Sequence, residues 1–260
     1  MNRLTACIFT ENHQENLPRL LASLNGIADE ILVSDSGFSD SAATAAIASQ
    51  FGAKIIPLDS RDSASQRNHM ASSASHDWIL SLASNEELSE ESRLSLRKWK
   101  DLPLQADVYQ MARLTWYLGA WIHHSHFYPN WQPRLYLRTK ASFCGPIHPV
   151  LRFSGKAHIL SGDVLHYSAR TFAEHEATLE CETSAMANHL FAEGQHRWRA
   201  ALWLGTPWTW FRYFFLGAGF LDGYRGAVLS QMAARGVRLQ SSKLGALVKV
   251  EKRSHSRGEP

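Results

Sequence analysis

The feature that most constrains this chain is the alternation of short apolar runs with helical faces through its first hundred residues. Residues 4–10 are short and apolar, with a β-branched residue and an aromatic, and read as a strand. Leu17, Leu20, Leu21 and Leu24 follow at i, i+3, i+4 and i+7, the spacing of one helix face, and Asn25-Gly26 closes that helix. Residues 30–34 read as a second strand, before an Ala-rich helix that ends near Phe51-Gly52. Residues 53–58 form a third strand, 63–73 a helix and 77–82 a fourth strand, and Ser89-Glu90-Glu91 opens a helix reaching about Lys100. Strands alternating with helices of this length imply βαβ units, a mostly parallel sheet and an α/β class. Right-handed crossovers then place helices on both faces.

At the end of the second strand stands Asp35-Ser36-Gly37-Phe38-Ser39-Asp40. Asp35 is delivered to the C-terminal edge of the sheet, where open α/β sheets bind ligands, and Gly37 permits a tight turn. The chain has no Gly-x-Gly-x-x-Gly and no Gly-x-x-x-x-Gly-Lys-Ser/Thr, so dinucleotide and P-loop readings fail.

After about Val108 the pattern changes. Residues 108–114, 134–138, 150–153 and 164–167 read as strands of a mixed or antiparallel extension, with His, Pro and Trp between them. Residues 171–193 read as a helix capped by Thr171 and stopped by Gly194. Residues 201–221 are nearly all apolar and aromatic, with Trp203, Trp208, Trp210, Phe211, Phe214, Phe215 and Phe220. One spanning helix is possible by length, but Pro207, Arg212 and three glycines favour a pair of helices lying on a membrane surface. Trp and Tyr suit the headgroup zone, and the flanking Arg197, Arg199, Arg212, Arg225, Arg235 and Arg238 suit anionic lipid. An aromatic core or an oligomer interface is the alternative. Lys243, Lys249, Lys252, Arg253 and Arg257 face a single Glu251 in a tail expected to be disordered. The expected division is 1–170 for a ligand-binding α/β domain, 171–240 for membrane association and 241–260 for the tail.

A net charge of +3 gives no case for nucleic acid. Cys7, Cys144 and Cys181 offer neither a disulfide framework nor a zinc spacing, and fit a reducing compartment. No secretory signal pattern opens the sequence, so cytoplasmic exposure is expected.

With these elements placed, the chain resembles a family-2 glycosyltransferase of the GT-A fold, most of all the lipopolysaccharide-core glucosyltransferase type. Thr10-Glu11-Asn12, Ala28 through Val33, the Asp35–Asp40 turn and Gln66-Arg67-Asn68 carry the likeness. So do Asp77-Trp78-Ile79-Leu80, Tyr128-Pro129 before Arg134-Leu135, His166-Tyr167 and Gly219 through Gly223. The resemblance implies a sugar nucleotide, with UDP as the expected nucleotide, across the ends of the first strands. Thr10, Glu11, Asn12, Asp35, Gly37, Gln66, Arg67, Asn68, Ser84, Asn85, Glu86 and Tyr128 would bind donor or acceptor. Asp35 would accept hydrogen bonds from uracil or ribose, as a carboxylate can. It could instead cap the next helix, a task for which Asp40 is better placed. Arg67 would face the diphosphate or else form a surface ion pair.

Two departures matter. The family's Asp-x-Asp, usually followed by Glu, holds Mg²⁺ or Mn²⁺, and here reads Ala83-Ser84-Asn85-Glu86. Asn85 and Glu86 are the remaining weak metal candidates. The family's His-Glu, whose Glu is a candidate base, reads His148-Pro149. The expectation is therefore an inverting, metal-independent transfer of a hexose to a lipid-linked core glycan, at the inner face of the cytoplasmic membrane. His148 and Arg134 are the catalytic candidates, since imidazole titrates near neutrality and either cation could meet the diphosphate. A catalytically degenerate binding or scaffold protein in envelope glycan assembly is the alternative. His123-His124-Ser125-His126 matches no zinc spacing and reads as a polar acceptor-site loop.

Overall fold

The computed structural model describes residues 1–10, 14–35, 41–58, 62–145, 149–195 and 198–257. In chain order the elements are β1 (Leu4–Phe9), α1 (Leu17–Ser23), β2 (Glu30–Asp35), α2 (Ser41–Gln50), β3 (Lys54–Pro57) and α3 (Ser63–Ser73). Then come β4 (Trp78–Ala83), β5 (Glu86–Leu88), α4 (Glu90–Asp101), β6 (Val108–Tyr117), β7 (Ala120–Ile122) and β8 (Asn130–Leu137). After them run β9 (Ala141–Cys144), β10 (Val150–Phe153), β11 (His158–Tyr167), α5 (Phe172–Ala192), α6 (Trp198–Ala200), α7 (Thr206–Phe211) and α8 (Gly223–Arg257). π-helical turns at Ala201–Gly205 and Arg212–Leu216 flank α7.

The chain divides into two compact units: Met1–Leu114 with Pro129–Tyr167, and Thr115–Tyr128 with Ser168–Pro260. One break falls after Tyr167, and residues 115–128 group with the second unit.

In the first unit the strands run in the order β3-β2-β1-β4-β8-β6-β11-β5. β3, β2, β1 and β4 are parallel neighbours, and β8 joins β4 antiparallel, pairing Leu80 with Leu135. β1 explains the layering. Leu4, Ala6 and Ile8 pack with Leu17, Leu20, Leu21 and Leu24 of the α1 region and with Leu96 and Trp99 of α4. Cys7 and Phe9 point the other way, onto Met70 and Ala71 of α3. A strand buried on both faces, with successive side chains alternating, fits the centre of a sheet between two helical layers. Burial also pushes the Cys7 thiol up to about 12, leaving it a packing group. Asp62 caps α3 by accepting from Ala64 N at 3.2 Å and Ser65 N at 3.1 Å. Ser89 caps α4 by accepting from Ser92 N at 3.2 Å.

The second unit is helical apart from β7 and the end of β6. Thr171 caps α5 through its hydroxyl, accepting from Glu174 N at 3.2 Å. Leu244 and Val248 of α8 are buried with Ala187 of α5. Lys243 Nζ lies 2.6 Å from Glu180 Oε1 and donates to Thr183 and Ser184. The expected disordered tail is therefore corrected as far as Arg257, because α8 runs through it. Leu244 and Val248 lie four residues apart on one helix face, and their apolar contacts were masked by the basic residues between and after them. Among the described residues no helix is long and apolar enough to cross a membrane. In the segment from Trp198 to Leu216, Trp203 (75% accessible), Trp208 (56%), Phe211 and Phe215 are exposed, while Trp198, Trp210, Tyr213 and Phe214 are half-buried.

Candidate active site

The C-terminal ends of β1, β2 and β4 bring Thr10, Asp35 and Ser84 to one sheet edge. Phe9 is level with Ala83, Ile8 with Val33 and Asp35 with Pro57. Thr10 is buried and ties the strand ends together: its N–H donates to Ser34 Oγ at 3.0 Å and its hydroxyl to the Ser34 carbonyl at 2.8 Å. Ser84 is buried as well, its N–H donating to the Phe9 carbonyl at 2.8 Å. Both shape the edge. Asp35 is half-buried at the last position of β2, and its carbonyl accepts from Leu58 N at 2.9 Å. Glu11, Asn12, Gly37 and His148 lie outside the described residues.

α3 presents Arg67 to this edge. Its guanidinium lies 4.4 Å from the Phe9 ring centre and 5.2 Å from that of Phe143, and Nη1 donates to Ser81 Oγ at 3.0 Å. Ring faces attract a cation and keep a planar group in place. Asn68 exchanges two bonds with the Phe143 backbone, at 2.9 and 2.8 Å, and so fixes β9 and the Phe143 ring that flanks Arg67. Gln66 precedes them on α3, half-buried, its N–H bonded to the Asp62 carbonyl.

The segment after β4 turns inward. Glu86 is 2% exposed. Its Oε2 accepts from Ala83 N at 2.8 Å, and its Oε1 accepts from Arg134 Nη2. Burial alone would raise its pKa, but Arg134, His166, the Ala83 N–H and Arg113 outweigh burial and hold it below the usual value. Asn85 donates to the Tyr167 carbonyl and to His166 Nε2, both at 3.2 Å. Glu87 accepts from the Tyr167 hydroxyl at 2.9 Å.

These bonds decide two sequence expectations. Arg134 is not presented to a leaving diphosphate; it neutralises Glu86 and donates toward the Ser81 carbonyl at 3.4 Å. Asn85 and Glu86 do not fit a Mg²⁺ or Mn²⁺ site, because both Glu86 oxygens are engaged and Asn85 is turned to β11 as a donor. Among the described residues no group of three His, Cys, Asp or Glu side chains could hold a metal.

Ser81 and Phe9 are the residues that sequence reading missed. Ser81 bonds Arg67 through its hydroxyl and Arg134 through its carbonyl. The signal was a lone serine in an otherwise apolar strand.

Tyr128 belongs to the second unit, its ring 5.7 Å from that of His123. In the same unit Asp222, its side chain 7% exposed, accepts from His123 N at 3.2 Å and His124 N at 2.9 Å, and lies 2.9 Å from His124 Nδ1. Ser125 and His126 follow in the left-handed region, at φ 57° and 59°.

Residues 5–155 match the family described as Glycosyl transferase family 2. The chain belongs to glycosyl transferase family 2. This family-2 glycosyltransferase is 28% identical over 261 residues to a protein of Rickettsia felis described as an uncharacterized glycosyltransferase, covering 94% of this chain and 90% of the relative. It is 38% identical over 104 residues to a TPR repeat-containing protein of Synechococcus elongatus, covering 40% of this chain and 25% of that one. Among solved structures, S. aureus TarS 1–349 in complex with UDP-GlcNAc is similar with a TM-score of 0.46 and 12% identity, covering 96% of this chain and 92% of that one. The α/β class of the first unit, with its mixed sheet, agrees with the GT-A architecture expected of the glycosyltransferase.

Proposed function

We propose that this glycosyltransferase moves a hexose from a nucleotide sugar, with UDP as the nucleotide, to a lipid-linked surface glycan of the lipopolysaccharide-core kind, with inversion. The observation that carries this reading is one sheet edge holding both Asp35, at the end of β2, and the Arg67 guanidinium, flanked by Phe9 and Phe143. A carboxylate suits an imide N–H or ribose hydroxyls, and a ring-held guanidinium suits a diphosphate. In the transfer an acceptor hydroxyl attacks the anomeric carbon. The bond from that carbon to the diphosphate oxygen breaks, and UDP leaves with the electron pair. The acceptor proton passes to a base, for which His148 is the candidate. Growing charge on the diphosphate falls to Arg67, because the segment that carries metal carboxylates in the family is turned inward here.

The acceptor's lipid anchor accounts for the second unit's surface. Trp203, Trp208, Phe215, Phe220 and Tyr224 are exposed, and rings beside arginines suit an anionic bilayer surface. The chain would then work peripherally on the cytoplasmic face of the membrane.

Titration calorimetry with UDP tests the donor half. Binding that persists in EDTA is expected. No binding under any condition sinks the donor reading, and binding only with Mn²⁺ sinks the metal-independent step. For His148→Ala, transfer should vanish while UDP binding remains.

A further inference from the structure

The second unit carries a polar device that the donor half does not use. Asp222 is almost fully buried and its carboxylate takes three contacts from two neighbouring residues, His123 N, His124 N and His124 Nδ1. An imidazole that gives its Nδ1–H to a carboxylate presents Nε2 as an acceptor when neutral. The His124 side chain is 35% exposed, so a ligand can reach it.

The backbone around it is held in a costly shape. Ser125 and His126 are consecutive non-glycine residues with left-handed φ, a conformation sterically poor for residues with a Cβ. Ser125 N donates to the Gly217 carbonyl at 2.6 Å. A Cβ at Gly217 would come within 3.0 Å of Ser125 Cα, and one at Gly219 within 2.4 Å of Ser125 Oγ. Two glycines are thus required for the turn to seat. Strain kept in place by its surroundings is a mark of functional turns.

The device adjoins the exposed apolar surface. Phe220 and Leu221 precede Asp222 in the chain and Tyr224 follows shortly, and all three are exposed. Phe220 contacts Phe214, which stacks on Trp210 at 5.1 Å, and His126 meets Tyr213 at 5.7 Å. A ligand placed here is amphipathic. Its apolar part lies on the rings, and its first polar group lies at His124. With its Nδ1–H held by Asp222, the neutral imidazole offers Nε2 only as an acceptor, which gives phosphate oxygens no donor and suits a neutral hydrogen-bond donor. A sugar hydroxyl is that donor.

We infer that His124, oriented by Asp222, is a glycan-binding residue that accepts a hydrogen bond from a hydroxyl of the membrane-anchored acceptor. This rests on the acceptor being a lipid-linked glycan, as proposed above. It adds the residue that would separate a glycan-bearing lipid from a bare one. His124 is a binding residue and Asp222 a positioning residue.

The test is vesicle flotation with the full chain. One set of vesicles is phosphatidylethanolamine and phosphatidylglycerol, and a second set adds rough lipopolysaccharide as the glycan probe. The native chain should bind the second set about tenfold more tightly, the worth of one good hydrogen bond to a well-placed group (about 1.4 kcal/mol). His124→Ala should lose that preference while keeping its affinity for the first set and for UDP. His124→Gln, which keeps an acceptor near the Nε2 position, should retain most of the preference. His124→Ala with the preference intact overturns the inference, and so does a native chain with no preference. Loss of the preference in His124→Gln as well as His124→Ala, with unfolding temperatures unchanged, also overturns the acceptor role. UDP binding, measured on the same preparations, reports separately on the donor reading.

Discussion

The sheet edge of the first unit and the aromatic surface of the second hold their side chains in opposite ways. At the edge Glu86 is enclosed, and its charge survives because Arg134 and the Ala83 N–H satisfy it at short range. On the second unit Trp203, Trp208, Phe211, Phe215, Phe220 and Tyr224 stand exposed, while Trp210, Tyr213 and Phe214 between them are half-buried. A buried charge is stable only through its partner, so removing the partner costs far more than the pair contributes. An exposed ring costs the fold little and is available to another phase. One region is therefore tuned by substitutions that damage folding, the other by substitutions that damage only binding.

The largest effect should follow Arg134→Ala, which strands the Glu86 carboxylate. Urea unfolding should show a loss of about 3–5 kcal/mol. Arg134→Met combined with Glu86→Leu should regain most of it, since a matched apolar pair leaves no orphaned charge. If the single variant loses under ~1 kcal/mol, well below that expectation, the edge is not held as described.

Changing Trp203, Trp208 and Phe215 together to serine breaks the comparison from the other side. Vesicle affinity should fall about a hundredfold, from roughly 1 kcal/mol per partly inserted ring. The unfolding midpoint should stay within about 2 °C, because exposed side chains contribute little to the fold. A large drop in midpoint with no change in flotation would mark these rings as core.

Arg67→Ala lies between the two regimes, since its side chain is half-buried and held by Ser81 and two rings. UDP affinity should fall about tenfold or more, in keeping with a charged hydrogen bond of about 1.5–3 kcal/mol. Stability should drop by only about 1 kcal/mol, the scale of a cation–π contact. Unchanged calorimetry would remove Arg67 from the donor site.

The smallest effect is a pH dependence. Burial alone would raise the Glu30 pKa, but Lys54, the Ser75 N–H and hydroxyl, and Thr5 bring it down from 4.5 to about 2. A carboxyl lowered by folding adds stability above its unfolded value, and that stability is lost as pH falls through the folded value. Glu30→Gln should therefore flatten the loss of stability between pH 4.5 and about 2. The difference should be roughly 1–2 kcal/mol, reduced by solvent screening at the exposed Lys54. An unchanged acid slope would show that other carboxylates govern it.

The first unit was legible in sequence wherever local periodicity carried the signal. The Leu17–Leu24 face, the 63–73 helix, the helix start at Ser89 and, in the second unit, the Thr171 cap stand as read, because each is set by neighbours within a few residues. β5, β7 and β9 were not read. They are three or four residues long, too short to show a period; β5 pairs with the distant β11, whereas β7 and β9 pair antiparallel with their chain neighbours β6 and β10. The site followed the same rule. Asp35 could be placed from its strand, whereas the role of Arg134 depends on a carboxylate 48 positions away.

By itself the sequence determined the βα alternation, the edge at which Asp35 stands, the Ala83-Ser84-Asn85 that stands where the resemblance expects Asp-x-Asp, and the aromatic character of residues 201–221. These follow from residue identity and short-range spacing. Only the tertiary structure decided that Glu86 is spent on Arg134, that Asn68 braces the Phe143 ring, that α8 runs to Arg257 and that Asp222 holds His124. Each is a pairing between residues distant in sequence. Burial sets its energy, and burial exists only once the chain has folded.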